Sequence, residues 1–185
     1  LPELHDRIVR GLLITIRSPE LFRCHELSQL SVVQQLESDA KFKLLHRLLQ
    51  IMARETYAEF LAFASQPASK AFMSEHALPE AALAVKMRLL TLVSLGHGSK
   101  ELTYQEVASA LQVGVAEVET WVMQAIGSGL MTAKMDQVRE TVAVSMCAER
   151  DFGKRQWEQL HSSLVEWRDS VTTLLDVLKT ARVGA

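Results

Sequence analysis

The stretch "LMTAKMDQVRETVAVSM", Leu130 to Met146, decides how the rest of the chain is read. Apolar and polar positions alternate in "LMTAKM" and again in "ETVAVSM", the two-residue period of a half-buried strand. "DQVR" between them is short and polar, and reads as a hairpin turn. Immediately upstream the period is helical. "GVAEVETWVMQAI" makes one helix, closed by Gly127 and Gly129. Before it, "TYQE" from Thr103 has capping-box spacing and opens "QEVASAL". "EAALAVKMRLLTLVSL" makes the first helix of the three, expected to end on Gly96.

Three helices followed by a two-stranded hairpin is the order of a winged-helix domain. The first half of the chain is helical throughout. "LPELHDRIVRGLLITI" puts Leu4, Ile8, Leu12 and Ile16 on one stripe. "SPELF" restarts a helix, with Ser18 as cap and Pro19 at the first helical position. "SVVQ" at Ser31 to Gln34 opens a short helix through Leu36, and Asp39 caps the next one, with Leu45, Leu48, Leu49 and Met52 facing inward. "TYAE" at Thr56 to Glu59 is another capping box. "SQPASKAFMSEHALPEA", with two prolines among small and polar residues, reads as a connector. Short helices joined by polar turns are how a helical-repeat solenoid reads, although no repeat motif is strong enough to name from spacing alone. The expected fold class is mainly α: helical repeats over residues 1–76, a winged helix with its small β-hairpin over 77–150, and a long terminal helix over 151–181.

A chain of 185 residues can bury a sizeable core, and 48% hydrophobic with 23% charged residues is ordinary globular chemistry. A net charge of -2 argues against a general nucleic-acid coat. The two cysteines, Cys24 and Cys147, are too few and too far apart for a disulfide framework, which suits a reducing, cytoplasmic setting. No apolar run is long enough to cross a bilayer, and there is no signal segment. The chain opens at Leu1 without an initiator methionine, as a fragment would.

Catalytic chemistry finds no foothold. "GHGSK" at Gly96 to Lys100 follows a helix and lacks the length of a phosphate-binding loop. His5, His25, His46, His76, His97 and His161 include no pair at ligand-like helical spacing, and Cys24 and His25 point to different sides of a helix. Cys147 closes a strand-like run and is read as a buried, inert thiol in preference to a nucleophile paired with His161. Glu55, Glu59, Glu149 and Asp151 read as caps and solvated faces. No metal, cofactor, small-molecule substrate or enzyme activity is expected. Sequence-specific DNA binding is disfavoured too. The third helix of the winged unit carries Glu117 and Glu119 and no basic residue, and the phosphate backbone would repel those carboxylates. Lys134 and Arg139 on the hairpin, with Lys154 and Arg155 beyond, leave a weak RNA contact as the alternative.

The terminal helix carries the most specific pattern. Trp157, Leu160, Leu164, Trp167, Val171, Leu174 and Leu178 follow one another at alternating steps of three and four, which specifies knobs-into-holes packing on another helix. Its first part, Trp157 to Leu164, is expected to pack back on the hairpin. Thirty helical residues extend roughly 45 Å, so Trp167, Val171, Leu174, Leu175 and Leu178 are expected to reach past the domain and bind a partner helix. Left in water, each would forgo about 1.5–3 kcal/mol of burial. The hairpin residues Met131, Lys134, Arg139, Val142 and Val144 are expected to offer a strand edge or face to a neighbouring subunit.

This layout resembles the PCI family. "KMRLLTLVSL", "VAEVETWVMQAI", "AKMDQ" and "TVAVS" are similar to its winged-helix half, and "FGKRQWEQLHSSLVEW" and "SPELFRCHELSQLSVVQQLE" more narrowly to its subunit m branch in eukaryotic translation initiation factor three. Around "LTLVSL" and "KMDQ" the chain is also similar to subunit seven of the COP9 signalosome, the competing branch. The resemblance implies a non-catalytic scaffold with no cofactor. PCI subunits join side by side through their winged helices and gather their terminal helices into a bundle. The implied partners are the large PCI subunit a, the MPN subunits f and h, and the 40S ribosomal subunit through the assembly. Members of the family carry further helices upstream, which would make Leu4 to Ile16 a cut face of the solenoid.

Overall fold

The computed structural model describes residues 2–22, 24–35, 42–150 and 153–183. They fall into two units, Leu1–Arg150 and Asp151–Ala185. The first is built from α1 (Pro2–Arg17), α2 (Cys24–Ser28), α3 (Ser31–Gln35), α4 (Lys43–Arg54), α5 (Tyr57–Ser65), α6 (Pro67–Glu75) and α7 (Glu80–Gly98). There follow β1 (Glu101–Thr103), α8 (Tyr104–Leu111), a single 3-10 turn (Val115–Glu117), α9 (Val118–Gly127), β2 (Met131–Asp136) and β3 (Thr141–Cys147). The second unit is one helix, α10 (Lys154–Val183). The mainly α class, the β-hairpin and the long last helix are those read from the sequence.

The first unit has two apolar cores, and α7 belongs to both. Leu83, Met87 and Leu90 join Ile16, Leu48, Leu49, Met52 and Phe60 in one. Leu89, Leu92 and Val93 join Val107, Leu111, Val118, Val122 and Val142 in the other. Apolar residues around most of the helix circumference are what burial on two sides demands.

Of the capping-box spacings, those at Thr56 and Thr103 form boxes, while Ser31 is the first residue of α3. Thr103 Oγ1 accepts from the Glu106 amide at 3.2 Å while Glu106 Oε2 accepts from the Thr103 amide at 2.8 Å. At the start of α5, Glu59 accepts from the Thr56 amide at 2.9 Å and from the Thr56 hydroxyl. Helix C-termini are closed over longer range. The buried Lys86 ammonium donates to the carbonyls of Thr15, Ile16 and Ser18 at 2.9, 3.3 and 2.8 Å, where α1 ends. Burial holds its pKa below the usual lysine value. Arg88 donates to the Leu111 carbonyl at 3.0 Å, closing α8, with its guanidinium over the rings of Tyr57 and Trp121. Arg150 donates to the carbonyls of Ile51 and Met52 at 2.9 Å each, closing α4, and to Ser94 Oγ at 3.0 Å. Each cation sits at a helix C-terminus, where the helix dipole is negative.

Several local expectations are corrected. Residues 66–75 are no connector: Gln66 caps α6, Pro67 takes its first turn, and Ser69, Phe72 and Met73 are buried. Residues 18–22 are not helical, so Ser18 and Pro19 follow the end of α1 instead of starting a helix. Leu36 and Asp39 lie outside the described residues, as does the side chain of Leu4; Phe42 stands at the cap of α4. The helix expected to stop at Gly96 runs on to Gly98. Gly96 is needed for approach, not for capping. A Cβ there would collide with Cys147 Sγ and lie 3.4 Å from Val144 Cγ1, so the missing side chain lets α7 lie against β3.

The Gly96→Ala variant should lose about 1–3 kcal/mol in urea unfolding, as overpacked sites do, and Cys147→Ala in the same chain should recover most of it. Acid should also weaken the two boxes. Hydrogen bonds from Thr56 and Thr103 hold the carboxyls of Glu59 and Glu106 below their ordinary value of 4.5. Their stabilisation is full above 4.5 and is lost as pH falls through the lower folded-state values. The Glu59→Gln, Glu106→Gln double variant should therefore show a flatter urea midpoint below pH 4.5 than the parent.

Candidate partner-binding surfaces

The winged unit contains a strand that the sequence reading missed. β1 is three residues long and pairs antiparallel with β3, Leu102 opposite Val142, giving the order β1-β3-β2. So short a segment carries almost no alternating signal, and only its pairing partner identifies it. One consequence is that β3 is the central strand. β2 lies at the sheet's edge, with Lys134 opposite Ala143 and Met135 opposite Val142.

This order sorts the five hairpin residues. Met131 and Val142 are buried in the second core, and Val144 is half-buried beside Gly96. None of the three is presented at the sheet's edge, because β3 is paired on both sides and Met131 points inward. Lys134 and Arg139 are exposed. The turn is held by Asp136 Oδ1, which accepts from the amides of Val138 and Arg139 at 3.1 Å each, with Glu140 at φ +51°. Val138 at its tip is 96% exposed, and Met146 is exposed near the end of β3; neither was singled out from sequence.

On α9, Glu119 is engaged within the fold. Its carboxylate accepts from Tyr104 Oη at 3.2 Å and from Gln137 Nε2 at 2.9 Å, tying α8 and the hairpin turn to α9. Val115, Met123 and Ile126 are exposed on the same segment. An acidic and apolar surface of this kind has none of the long basic donors that reach phosphates. Among the described residues no group of three or more His, Cys, Asp and Glu could hold a metal ion. Burial raises the thiol pKa of Cys24, and that of Cys147 with a further contribution from Glu149, so both thiols are held away from the reactive thiolate. No described helix is long and apolar enough to cross a membrane.

The second surface is the seam of α10. With Trp157 as position a of a heptad, the a residues are Trp157, Leu164, Val171 and Leu178 and the d residues Leu160, Trp167 and Leu174. Trp157, Leu160 and Leu164 are exposed. Further along, Trp167 is 69%, Leu174 64% and Leu178 65% exposed, and Val171 and Leu175 are exposed too. From Val171 onward the stripe widens. Leu175 at e and Val177 at g flank the seam there, whereas the earlier flanks are Lys154, His161 and Arg168 at e and Gln156, Ser163 and Ser170 at g. Val177 was not singled out from sequence. As a unit made of one helix, α10 has no core of its own to cover this stripe.

A helical half sharing its spine with a winged helix, followed by a long seamed helix, is the architecture of a PCI-domain protein, and this chain is one. The family model described as "PCI domain" matches residues 61–146, and the one described as "eIF3 subunit M, C-terminal helix" matches residues 150–178. The chain resembles eukaryotic translation initiation factor 3 subunit M. It is 36% identical to that of Neosartorya fischeri over 186 aligned positions, covering 97% of this chain and 39% of the relative. To that of Emericella nidulans it is 35% identical, covering 98% of this chain and 41% of the relative. To that of Nematostella vectensis it is 31% identical, covering 86% and 40%. The chain thus spans about two fifths of the length of these curated relatives. The second family match includes "FGKRQW", the segment that favoured subunit m over the signalosome branch.

Glu119→Ala should free Tyr104 Oη and the hairpin turn together. Amide exchange at residues 137–140 should quicken, with at most about 1 kcal/mol lost in global stability.

Proposed function

We propose that this chain is the PCI portion of a structural subunit of eukaryotic translation initiation factor three, a non-catalytic scaffold acting in the cytoplasm. The observation that carries the reading is the exposed seam of α10, on the segment matched by the subunit M helix model. A stripe of this length has no use in water; it pairs with helices of other subunits. In this reading residues 1–76 form the helical-repeat part, 77–150 the winged helix and 151–181 the bundling helix. Trp167, Val171, Leu174, Leu175 and Leu178 contact the partner helices, which the MPN subunits f and h supply. The winged helix meets the large PCI subunit a through the β2 edge. Lys134 and Arg139 lie at this contact, while Met131, Val142 and Val144 support it from within. The 40S ribosomal subunit is reached through the complex.

Beyond Val171 the apolar arc occupies a, d, e and g, broader than the two-position stripe of a simple pair. Two neighbouring helices, as in a bundle, would cover it. Reconstitution with the other subunits tests the reading. Leu174→Asp with Leu178→Asp should abolish co-purification of the bundled subunits, while Lys134→Glu, which lies off the seam at the subunit a contact, should leave that bundle intact. Assembly that survives the double variant, with function lost on Lys134→Glu through missing RNA crosslinks, would overturn it in favour of direct RNA binding.

A further inference from the structure

The acids of α10 all lie off the seam flanks, whereas some of its bases lie on them. Its first-half e positions are Lys154, His161 and Arg168, and its g positions Gln156, Ser163 and Ser170. The acids Glu158, Glu166, Asp169 and Asp176 stand at b, c and f, away from the seam. Charges at e and g choose the partner of a coiled helix, because they face one another across the interface. Among the described residues, Lys154 and Arg168 are engaged by exposed neighbours on their own helix. Lys154 Nζ is 3.7 Å from Glu158, and Arg168 Nη2 is 2.9 Å from Asp169, with both pairs largely in solvent. Surface pairs of that kind contribute little and exchange readily.

We propose that the seam is covered by a helix of a different chain whose flanking positions carry Asp or Glu, and not by a second copy of this chain. The proposal rests on the bundling role above and adds the chemistry of the partner. In an antiparallel pair of two copies e meets e, and Lys154, His161, Arg168 and Leu175 include no acid, so the basic flank finds no counter-charge. In a parallel pair e faces g, where Gln156, Ser163 and Ser170 offer no charge. Trp167 at d would then meet its own copy, overfilling a layer suited to Leu. An acid-flanked helix satisfies the basic flank in either direction, and it would leave Glu158 and Asp169 to solvent.

Two synthetic helical peptides with the same leucine seam, one with Glu at every e and g position and the other with Lys, separate these cases. Anisotropy titrations against the full 185-residue chain at low salt should give the Glu peptide about tenfold tighter binding, a margin set by two or three exposed ion pairs and erased by 1 M salt. Lys154→Glu with Arg168→Glu should reverse the preference without changing the helical circular dichroism, since both residues are exposed. Equal binding of the two peptides, lost on Leu174→Asp, would overturn the charge inference and leave the bundling role standing. Binding of neither peptide would overturn both. Dimerisation of the chain at concentrations below those at which the Glu peptide binds would assign the seam to a second copy and overturn the proposal.

Discussion

Everything in the first unit depends on one helix having no solvent-facing side to spare. α7 places Leu83, Met87 and Leu90 in one core and Leu89, Leu92 and Val93 in the other, so the helical half and the winged half are two sides of one object. The polar residues along it serve the same junction. Lys86 closes α1, Arg88 closes α8 between two aromatic rings, and Thr91 Oγ1 accepts from the Tyr57 amide at 2.9 Å where α5 begins. A buried ammonium is tolerated only because three carbonyls surround it, and those carbonyls would themselves be costly to bury unpaired.

What could be read in advance was local. The capping boxes at Thr56 and Thr103 are spelled by residues three apart, and the alternating periods of β2 and β3 by neighbours two apart, so each was visible. The errors have long-range causes. Gly96 looks like a stop because glycine often is one, and nothing near it in sequence announces Cys147. "SQPASKAF" looks like a linker because its residues are small, yet Pro67 is at home in a first helical turn and Phe72 and Met73 supply enough burial to hold a helix. β1 exists because Val142 and its neighbours offer an edge to it. The basic caps join residues 23 to 99 positions apart, and no window along the chain contains both members.

The candidate surfaces divide along the same line. The seam of α10 was legible because a helix with no core of its own keeps its pattern undiluted by tertiary demands. The hairpin was less so. Alternation gives two faces, but it does not say which strand will be central or which face will be covered. Once β1 takes its place β3 is central; Met131 and Val142 lie in the second core, and of the five hairpin residues singled out only Lys134 and Arg139 are exposed.

Arg150 is the last residue of the first unit, and its guanidinium grips Ile51, Met52 and Ser94. A load on the terminal helix therefore arrives at α4 and α7 before it can peel β3 from the sheet. The hairpin is mechanically insulated from whatever tugs on the tail, as a knot behind a grommet spares the cloth.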